Sequence, residues 1–346
     1  MKKIELTGNE KFLLIRTDRI GDLILSTPVA EAIKKVYPDS FVSFLVSPYT
    51  QDILKNNPFV DEVILDNYRG IKRFFQLLKL IRSKKFDVTT LLFPRWRLSF
   101  LVFLAGIKIR IGTAYRAYSL FFNYKIRKHR KTIERHELEY NLDMLSILNI
   151  YSEKIAPKIF LSPKEEKSYQ KFFWALNLNK NEKVVIVHPG SKNSALNYPL
   201  EKLASVADKI IERTKAKVII TGGKDEIKLA QRMKDLMKNK PYDLSGETNL
   251  RQLAAIIKKG NLFISNSTGP MHIASALGTP IIAFFSPIFV TSPKRWGPYG
   301  DKNYVFLPPV GVCLKCQPKK CPYYDCMEKI DEDLVVSKAI EILQNN

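Results

Sequence analysis

Asn261 to Phe284, NLFISNSTGPMHIASALGTPIIAF, is the stretch from which the fold can be read. The apolar run ending at Ser265 predicts a buried strand, and Asn266-Ser267-Thr268-Gly269 a turn of small residues. From Pro270 to Leu277 apolar residues recur at helical spacing, and Gly278 is a helix stop. Pro280 to Phe285 reads as a second buried strand, completing a βαβ unit. The free N–H groups at the start of its helix carry partial positive charge and suit a phosphate. Gly269 lets a ligand approach the backbone, Ser267 and Thr268 add hydroxyls, and His272 lies one turn in. An ordinary capped core helix with a buried, hydrogen-bonded His272 fits the local sequence equally well.

The same alternation runs outward on both sides. Val184 to His188 and Lys217 to Thr221 read as strands, with helices near Pro199 to Arg213 and Ile227 to Met237. Asp331 to Leu343 reads as a terminal helix. In the first half, Phe12 to Ile15, Phe41 to Val46, Glu62 to Leu65, Val88 to Phe93 and Ile109 to Gly112 read as strands. A polar turn, Arg16 to Gly21, follows the first of them. The helical pattern from Asp22 to Val36 contains Pro28, which either kinks it or marks its true start. His136 to Leu148 reads as one amphipathic helix, and Tyr151 to Lys164, with Pro157 and Pro163, as the linker. Strand and helix alternating throughout predict an α/β chain with parallel sheets wound on both faces.

A chain of 346 residues is long enough for two domains with full cores. Its 45% hydrophobic and 26% charged residues are ordinary for a soluble globular protein. No run approaches the roughly 18 apolar residues of a membrane span. MKKIELTGNEKFLLIR lacks the apolar core of a signal peptide, so the expected location is the cytoplasm. The net charge of +22 is concentrated: residues 69 to 135 hold 18 Lys and Arg against Asp87 and Glu134. Such a field attracts anionic membrane surfaces, phosphorylated glycolipids or nucleic acid.

STGPMHIASALGTP resembles the donor-binding segment of glycosyltransferase family 9, the heptosyltransferases of lipopolysaccharide synthesis, usually written Asp-(Ser/Thr)-Gly-x-x-His. Four more segments match in order: RTDRIGDLILSTPVAEAIKKVYP at 16–38, HPGS at 188–191, GGKDE at 222–226 and RWGPYG at 295–300. The resemblance implies a GT-B architecture, two Rossmann-like domains whose parallel sheets face a central cleft. Residues 1–155 would bind the acceptor and 156–330 the nucleotide sugar, with 331–346 a helix packing back toward the first domain. The implied reaction is an inverting transfer of a heptose from ADP-heptose to an anionic glycolipid of lipopolysaccharide-core type. It implies a peripheral position on the inner face of the cytoplasmic membrane, no cofactor, no metal and no nucleic acid.

Sugar transfer must stabilise a departing diphosphate, activate a hydroxyl and exclude water. For the first, Gly190 and Ser191 follow a strand and present an N–H and a hydroxyl, with Lys192 adding a cation. Gly222-Gly223 follows the next strand and places Glu226 to accept from ribose hydroxyls, although Gly-Gly is also a common turn. Asp22 matches the Gly-Asp motif whose aspartate is the proposed base in related heptosyltransferases, and it also fits an N-capping residue. Arg19, Arg95 and Arg116 suit acceptor phosphates or carboxylates, or simple surface charge.

Two positions depart from the family. Ser267 stands where aspartate is usual, and Leu196 where a Lys or Arg often meets the donor phosphate. Cys313, Cys316, Cys321 and Cys326 form CLKCQPKKCPYYDC, whose spacing departs from paired zinc knuckles. A reduced or disulfide-linked loop and a structural metal site are the readings open there. Two other functions compete: a nucleotide-sugar epimerase of similar architecture, and a non-enzymatic anion- or nucleic-acid-binding protein using the basic segment.

Overall fold

The computed structural model describes residues 4–67, 69–151, 155–178, 182–191, 196–317 and 320–345. The chain divides into two units, Met1–Phe160 and Leu161–Asn346. In the first, the strands are β1 (Lys11–Arg16), β2 (Phe41–Val46), β3 (Glu62–Leu65), β4 (Val88–Leu91), β5 (Ile109–Thr113) and β6 (Tyr124–Ile126). The helices around them are α1 (Ile20–Ile24), α2 (Thr27–Val36), α3 (Ile71–Lys84), α4 (Trp96–Leu104) and α5 (Glu137–Asp143). In the second unit, the strands are β7 (Val184–His188), β8 (Lys217–Ile220), β9 (Tyr242–Asp243), β10 (Leu262–Asn266), β11 (Ile281–Phe284) and β12 (Asn303–Phe306). Its helices are α6 (Pro163–Glu166), α7 (Tyr169–Ala175), α8 (Leu200–Thr214), α9 (Ile227–Leu236), α10 (Leu250–Lys259), α11 (Gly269–Leu277), α12 (Pro293–Trp296) and α13 (Glu332–Asn345).

The two sheets have one topology. The first runs β3-β2-β1-β4-β5-β6, and the second β9-β8-β7-β10-β11-β12. Counted within each unit, both are 3-2-1-4-5-6, the order of dinucleotide-binding folds. Every strand pairing among the described residues is parallel. Covered on both faces, the central strands bury Phe12 to Ile15 and Leu262 to Ile264 completely, which is why they read as unbroken apolar runs. The strand order reverses between β1 and β4 and again between β7 and β10. Ligands of such sheets bind outside the carboxyl ends of the strands at these points.

Several local expectations are met. Pro28 marks a true start, at the second position of α2. Gly278 ends α11 in the left-handed conformation at φ 73°, where other residues strain. The helix expected over His136 to Leu148 is instead two pieces: α5, and a 3₁₀ turn at Met144–Leu148. The terminal helix α13 buries Val335, Val336, Ala339, Ile342 and Leu343 in the second unit's core, against α8. Among the described residues no helix is long and apolar enough to cross a membrane.

Candidate active site

At the reversal point of the first unit, β1 ends in an arginine. Arg16 closes the run FLLIR and is 2% exposed, so it belongs to the strand and not to the expected polar turn. Its Nη2 donates to Asp22 Oδ1 at 2.6 Å and its Nε to Asp18 Oδ1 at 2.8 Å. Nη1 donates to the Leu92 carbonyl at 3.1 Å, just beyond β4, and reaches Asn141 Oδ1 at 3.4 Å and Glu137 Oε1 at 3.5 Å. Burial disfavours the charged guanidinium, but Asp18, Asp22 and Glu137 outweigh it and hold its pKa above the ordinary value. An unpaired ion at this depth would cost several kcal/mol, so the partners are a condition of the fold.

Asp22 therefore sits in the first turn of α1 with its carboxylate turned to Arg16. Arg19 is the N-cap of this helix and makes no side-chain cap. Asn141 ties the arrangement to the helices behind it. Its Nδ2 donates to the Leu25 carbonyl at 3.1 Å and to Ser26 Oγ at 3.2 Å, while Ser26 Oγ donates to the Asp22 carbonyl at 2.8 Å. Glu137 also pairs with Arg130. Burial pushes Asp18 up to about 6, with Arg16 pulling down against it and Asp22 adding to the rise. The Asp22 carboxylate and the raised one of Asp18 thus share one cation.

Two of the three arginines expected to bind an acceptor share this end of the sheet. The exposed Tyr49 hydroxyl, which donates to the Asp18 carbonyl at 2.6 Å, is raised by burial and by Asp18 and Asp22, and lowered by Arg19 and Arg95. The Arg95 guanidinium lies 5.0 Å from the centre of the Phe93 ring, and that of Arg16 5.7 Å from the same ring. Arg116 precedes the 3₁₀ turn Ala117–Phe121, which the Tyr118 hydroxyl ties to the Pro94 carbonyl at 2.8 Å. Arg16, Asp18, Glu137 and Asn141 were not among the expected site residues. The one signal for Arg16 is a cation ending an otherwise unbroken apolar strand.

At the reversal point of the second unit, β7 ends in His188 and β10 in Asn266. The buried Asn266 side chain joins the loops that follow. Its Oδ1 accepts from the Tyr198 N–H at 2.7 Å, and its Nδ2 donates to the Pro189 carbonyl at 2.8 Å. Gly190 and Ser191 follow Pro189. Ser267 anchors its N–H on the Phe284 carbonyl at 3.1 Å, Thr268 is the extended N-cap of α11 with no side-chain cap, and Gly269 begins the helix. His272 is buried in the first turns of α11. Glu226 is buried as well: Oε2 accepts from the Gly223 N–H at 2.8 Å and lies 3.5 Å from His188 Nε2. Thr221 Oγ1 lies 3.1 Å from His188 Nδ1. A side chain on Gly190 would put its Cβ 1.9 Å from Glu226 Oε1, so it would have to displace the Glu226 carboxylate. Lys192 lies outside the described residues. Leu196 packs partly buried against the second unit's core.

The four cysteines are free thiols, each partly exposed, and all line one cavity of about 380 Å³ with Leu196, Pro287 and Ile288. Burial and the neighbouring thiols push Cys326 up. Among the described residues no group of His, Cys, Asp or Glu is arranged to hold a metal.

Two α/β units of this strand order define a GT-B-type fold, and known structures share it. The crystal structure of a family 9 glycosyl transferase from Veillonella parvula superimposes with a TM-score of 0.85 at 24% identity, covering 97% of this chain and 98% of that one. That of E. coli ADP-heptose lps heptosyltransferase II gives 0.80 at 19% identity, covering 97% and 99%. In sequence, lipopolysaccharide heptosyltransferase 3 of E. coli is 26% identical over 83% of this chain and 85% of its own length. Residues 74–326 match the family described as glycosyltransferase family 9 (heptosyltransferase), and the chain belongs to that family. It is a glycosyltransferase, and the epimerase and non-enzymatic readings fall away. Asp22 precedes the matched stretch.

Proposed function

We propose that this enzyme transfers a heptose, with inversion, from ADP-heptose to an anionic glycolipid of lipopolysaccharide-core type. The observation that carries the reading is the Asp22 carboxylate, held 2.6 Å from the buried Arg16 at the carboxyl end of β1. Asp22 takes the proton of the acceptor hydroxyl, and that oxygen attacks the anomeric carbon on the face opposite the leaving group. The bond from this carbon to the diphosphate breaks, ADP departs with the electron pair, and the configuration inverts. The first unit binds the acceptor, with Arg19, Arg95 and Arg116 meeting its anionic groups. The second unit binds the donor. Gly190, Ser191, Ser267, Thr268 and Gly269 offer N–H groups and hydroxyls to the diphosphate at the start of α11, with His272 facing it. Glu226 accepts from the ribose. Lys192 has its place here on sequence grounds alone. This chemistry asks for no cofactor and no nucleic acid, and the enzyme works peripherally at the inner face of the cytoplasmic membrane.

The E. coli relatives named as lipopolysaccharide or ADP-heptose heptosyltransferases support this choice of sugar and acceptor. The test is incubation with ADP-heptose, and with other nucleotide sugars in parallel, in the presence of a lipid-linked core acceptor. ADP release that depends on the acceptor, and a product of inverted anomeric configuration, are expected. Turnover of a different nucleotide sugar with ADP-heptose left intact would overturn the donor. A product retaining the donor's configuration would overturn the role of Asp22.

A further inference from the structure

The basic segment of the first unit is not uniformly available on its surface. Lys84 is paired with Glu62, Arg97 with Asp66, Arg130 with Glu137, and Lys128 and Arg135 with Asp143. Arg82 donates to the Leu104 carbonyl and Arg110 to the Phe121 carbonyl, stapling α3 and α4 to their neighbours. The cations left exposed include Lys72, Arg73, Lys79, Lys108 and Arg116. The same segment also carries a layer of apolar side chains that charge counting does not reveal. Phe75 meets Phe74 edge-on, Phe74 stacks on Phe100, and Phe100 and Phe103 both contact Phe121. One aromatic layer thus runs continuously from α3 across α4 to the 117–121 turn. Phe75 and Phe103 of this layer are 57% and 46% exposed, and Trp96 of α4 and Leu120 of the turn 65% and 66%. The helix α4 (WRLSFLVFL) buries Leu98, Leu101 and Val102 on one side and exposes Trp96 and Phe103 on another. Its polar residues are Arg97, paired with Asp66, and Ser99, which donates to the Arg95 carbonyl, so apolar side chains face out as well as in. No acid occurs in α3, α4 or the 117–121 turn.

We propose that this face of α3, α4 and the 117–121 turn seats on an anionic lipid bilayer. Trp96, Phe103 and Leu120 enter the headgroup boundary, and Lys72, Arg73, Lys79 and Lys108 meet the lipid phosphates. Charge and composition select this occupant, since exposed apolar side chains on elements that carry cations and no acids of their own match a surface that is apolar below and anionic above. The position gives the face a use. Trp96 directly follows Arg95, whose Phe93 ring also contacts Arg16, so α4 enters the membrane beside the Asp22 end of the sheet. This deepens the glycolipid-acceptor reading, and rests on it for its purpose but not for its test.

The full chain is sedimented with vesicles of phosphatidylcholine alone or of equimolar phosphatidylcholine and phosphatidylglycerol, with no donor or acceptor present. Binding to the anionic vesicles only, declining steeply with salt, is expected. In the Trp96→Ser, Phe103→Ser, Leu120→Ser variant the partition coefficient falls about tenfold or more, because binding follows buried apolar area. Trp96 and Leu120 are mostly exposed but Phe103 also touches Phe121, so melting is compared with the parent, and if it falls the Trp96→Ser, Leu120→Ser variant carries the test. With brominated acyl chains the tryptophan quenching seen in the parent disappears in Trp96→Phe. Equal binding to neutral vesicles, or anionic binding untouched by the serines, overturns the proposal. So does self-association without vesicles that the serines abolish, which marks a contact between copies of this chain. Because no turnover is read, absence of transfer activity leaves this result standing, and failure to bind vesicles leaves the transfer reading standing.

Discussion

Where the strand order reverses in the first unit, a buried arginine gathers Asp18, Asp22 and Glu137. At the same point in the second unit the surroundings are mostly neutral: Asn266 joining two loops, Thr268 and Gly269 opening a helix, and one carboxylate, Glu226, set against Gly190. The backbone topology is the same and the chemistry is opposite. On the proposed reading, proton transfer needs an ionisable group held at a fixed place, and the first unit offers Asp22 paired with Arg16. On the same reading an anionic leaving group needs N–H donors without competing negative charge, and the second unit offers backbone and small residues. One strand order serves both because it fixes only where the loops converge.

The largest effect that can break this division is at Asp22. Asp22→Asn keeps the shape and a hydrogen bond to Arg16 but removes the base, so kcat should fall by roughly 10²–10⁴ with donor Kd nearly unchanged. Kinetics with saturating donor, beside calorimetric titration of the donor, separate the two. Normal turnover in the Asn variant would move proton transfer elsewhere, with Asp18 next in line.

A smaller effect is expected in the second unit. Gly190→Ala places a methyl group 1.9 Å from the present position of Glu226 Oε1, so the carboxylate must move and its proposed hydrogen bond from the ribose is lost. Loss of one charge-assisted hydrogen bond weakens donor binding by about tenfold, with kcat at saturating donor changing far less than in the Asn variant. Unaltered donor affinity would mean that Glu226 serves the loop and not the nucleotide. A collapse of kcat instead would erase the contrast between the units.

Much of the fold was legible in residue order. Central strands covered on both faces must be apolar throughout, so FLLI and LFI announce themselves, and the glycine that ends α11 answers a backbone demand that few residues meet. The edge strands β6, β9 and β12 are two to four residues long, pair on one side only and carry mixed polarity, so no period marks them. Arg16 was misplaced for a different reason. Its burial depends on Glu137 and Asn141, 121 and 125 positions away, and no local window contains the partners that make a buried cation tolerable. Similarly, the apolar spacing from His136 to Leu148 could not show that an α-helix gives way to a tighter turn at Met144. The charge of the basic segment was countable in sequence. Which of its cations are taken by carboxylates was not.

The smallest effect, and the sharpest test of how the first unit holds its charges, concerns Asp18. Burial raises this carboxyl to about 6, above the ordinary 3.8, despite its bond to Arg16. A raised carboxyl binds its proton more tightly in the folded than in the unfolded protein. Between pH about 4 and about 6 the folded state therefore holds more protons, and this group's contribution to stability falls as pH rises through that window. Asp18→Asn removes the titration while Asp22 and Glu137 still satisfy Arg16. The difference in melting temperature, variant minus parent, should lie near its lowest below pH 4, climb across the window, and level off above pH 6 with the variant a few degrees the more stable. Taking the difference cancels the carboxylates elsewhere that titrate over the same range. Had the ion pair with Arg16 prevailed over burial, the folded pKa would lie below the ordinary value and the sign would reverse: the parent would gain on the variant as pH rises. A difference curve that descends would therefore show Asp18 to be a structural partner of Arg16 that stabilises as an anion, and would withdraw it as the alternative to Asp22 for the proton.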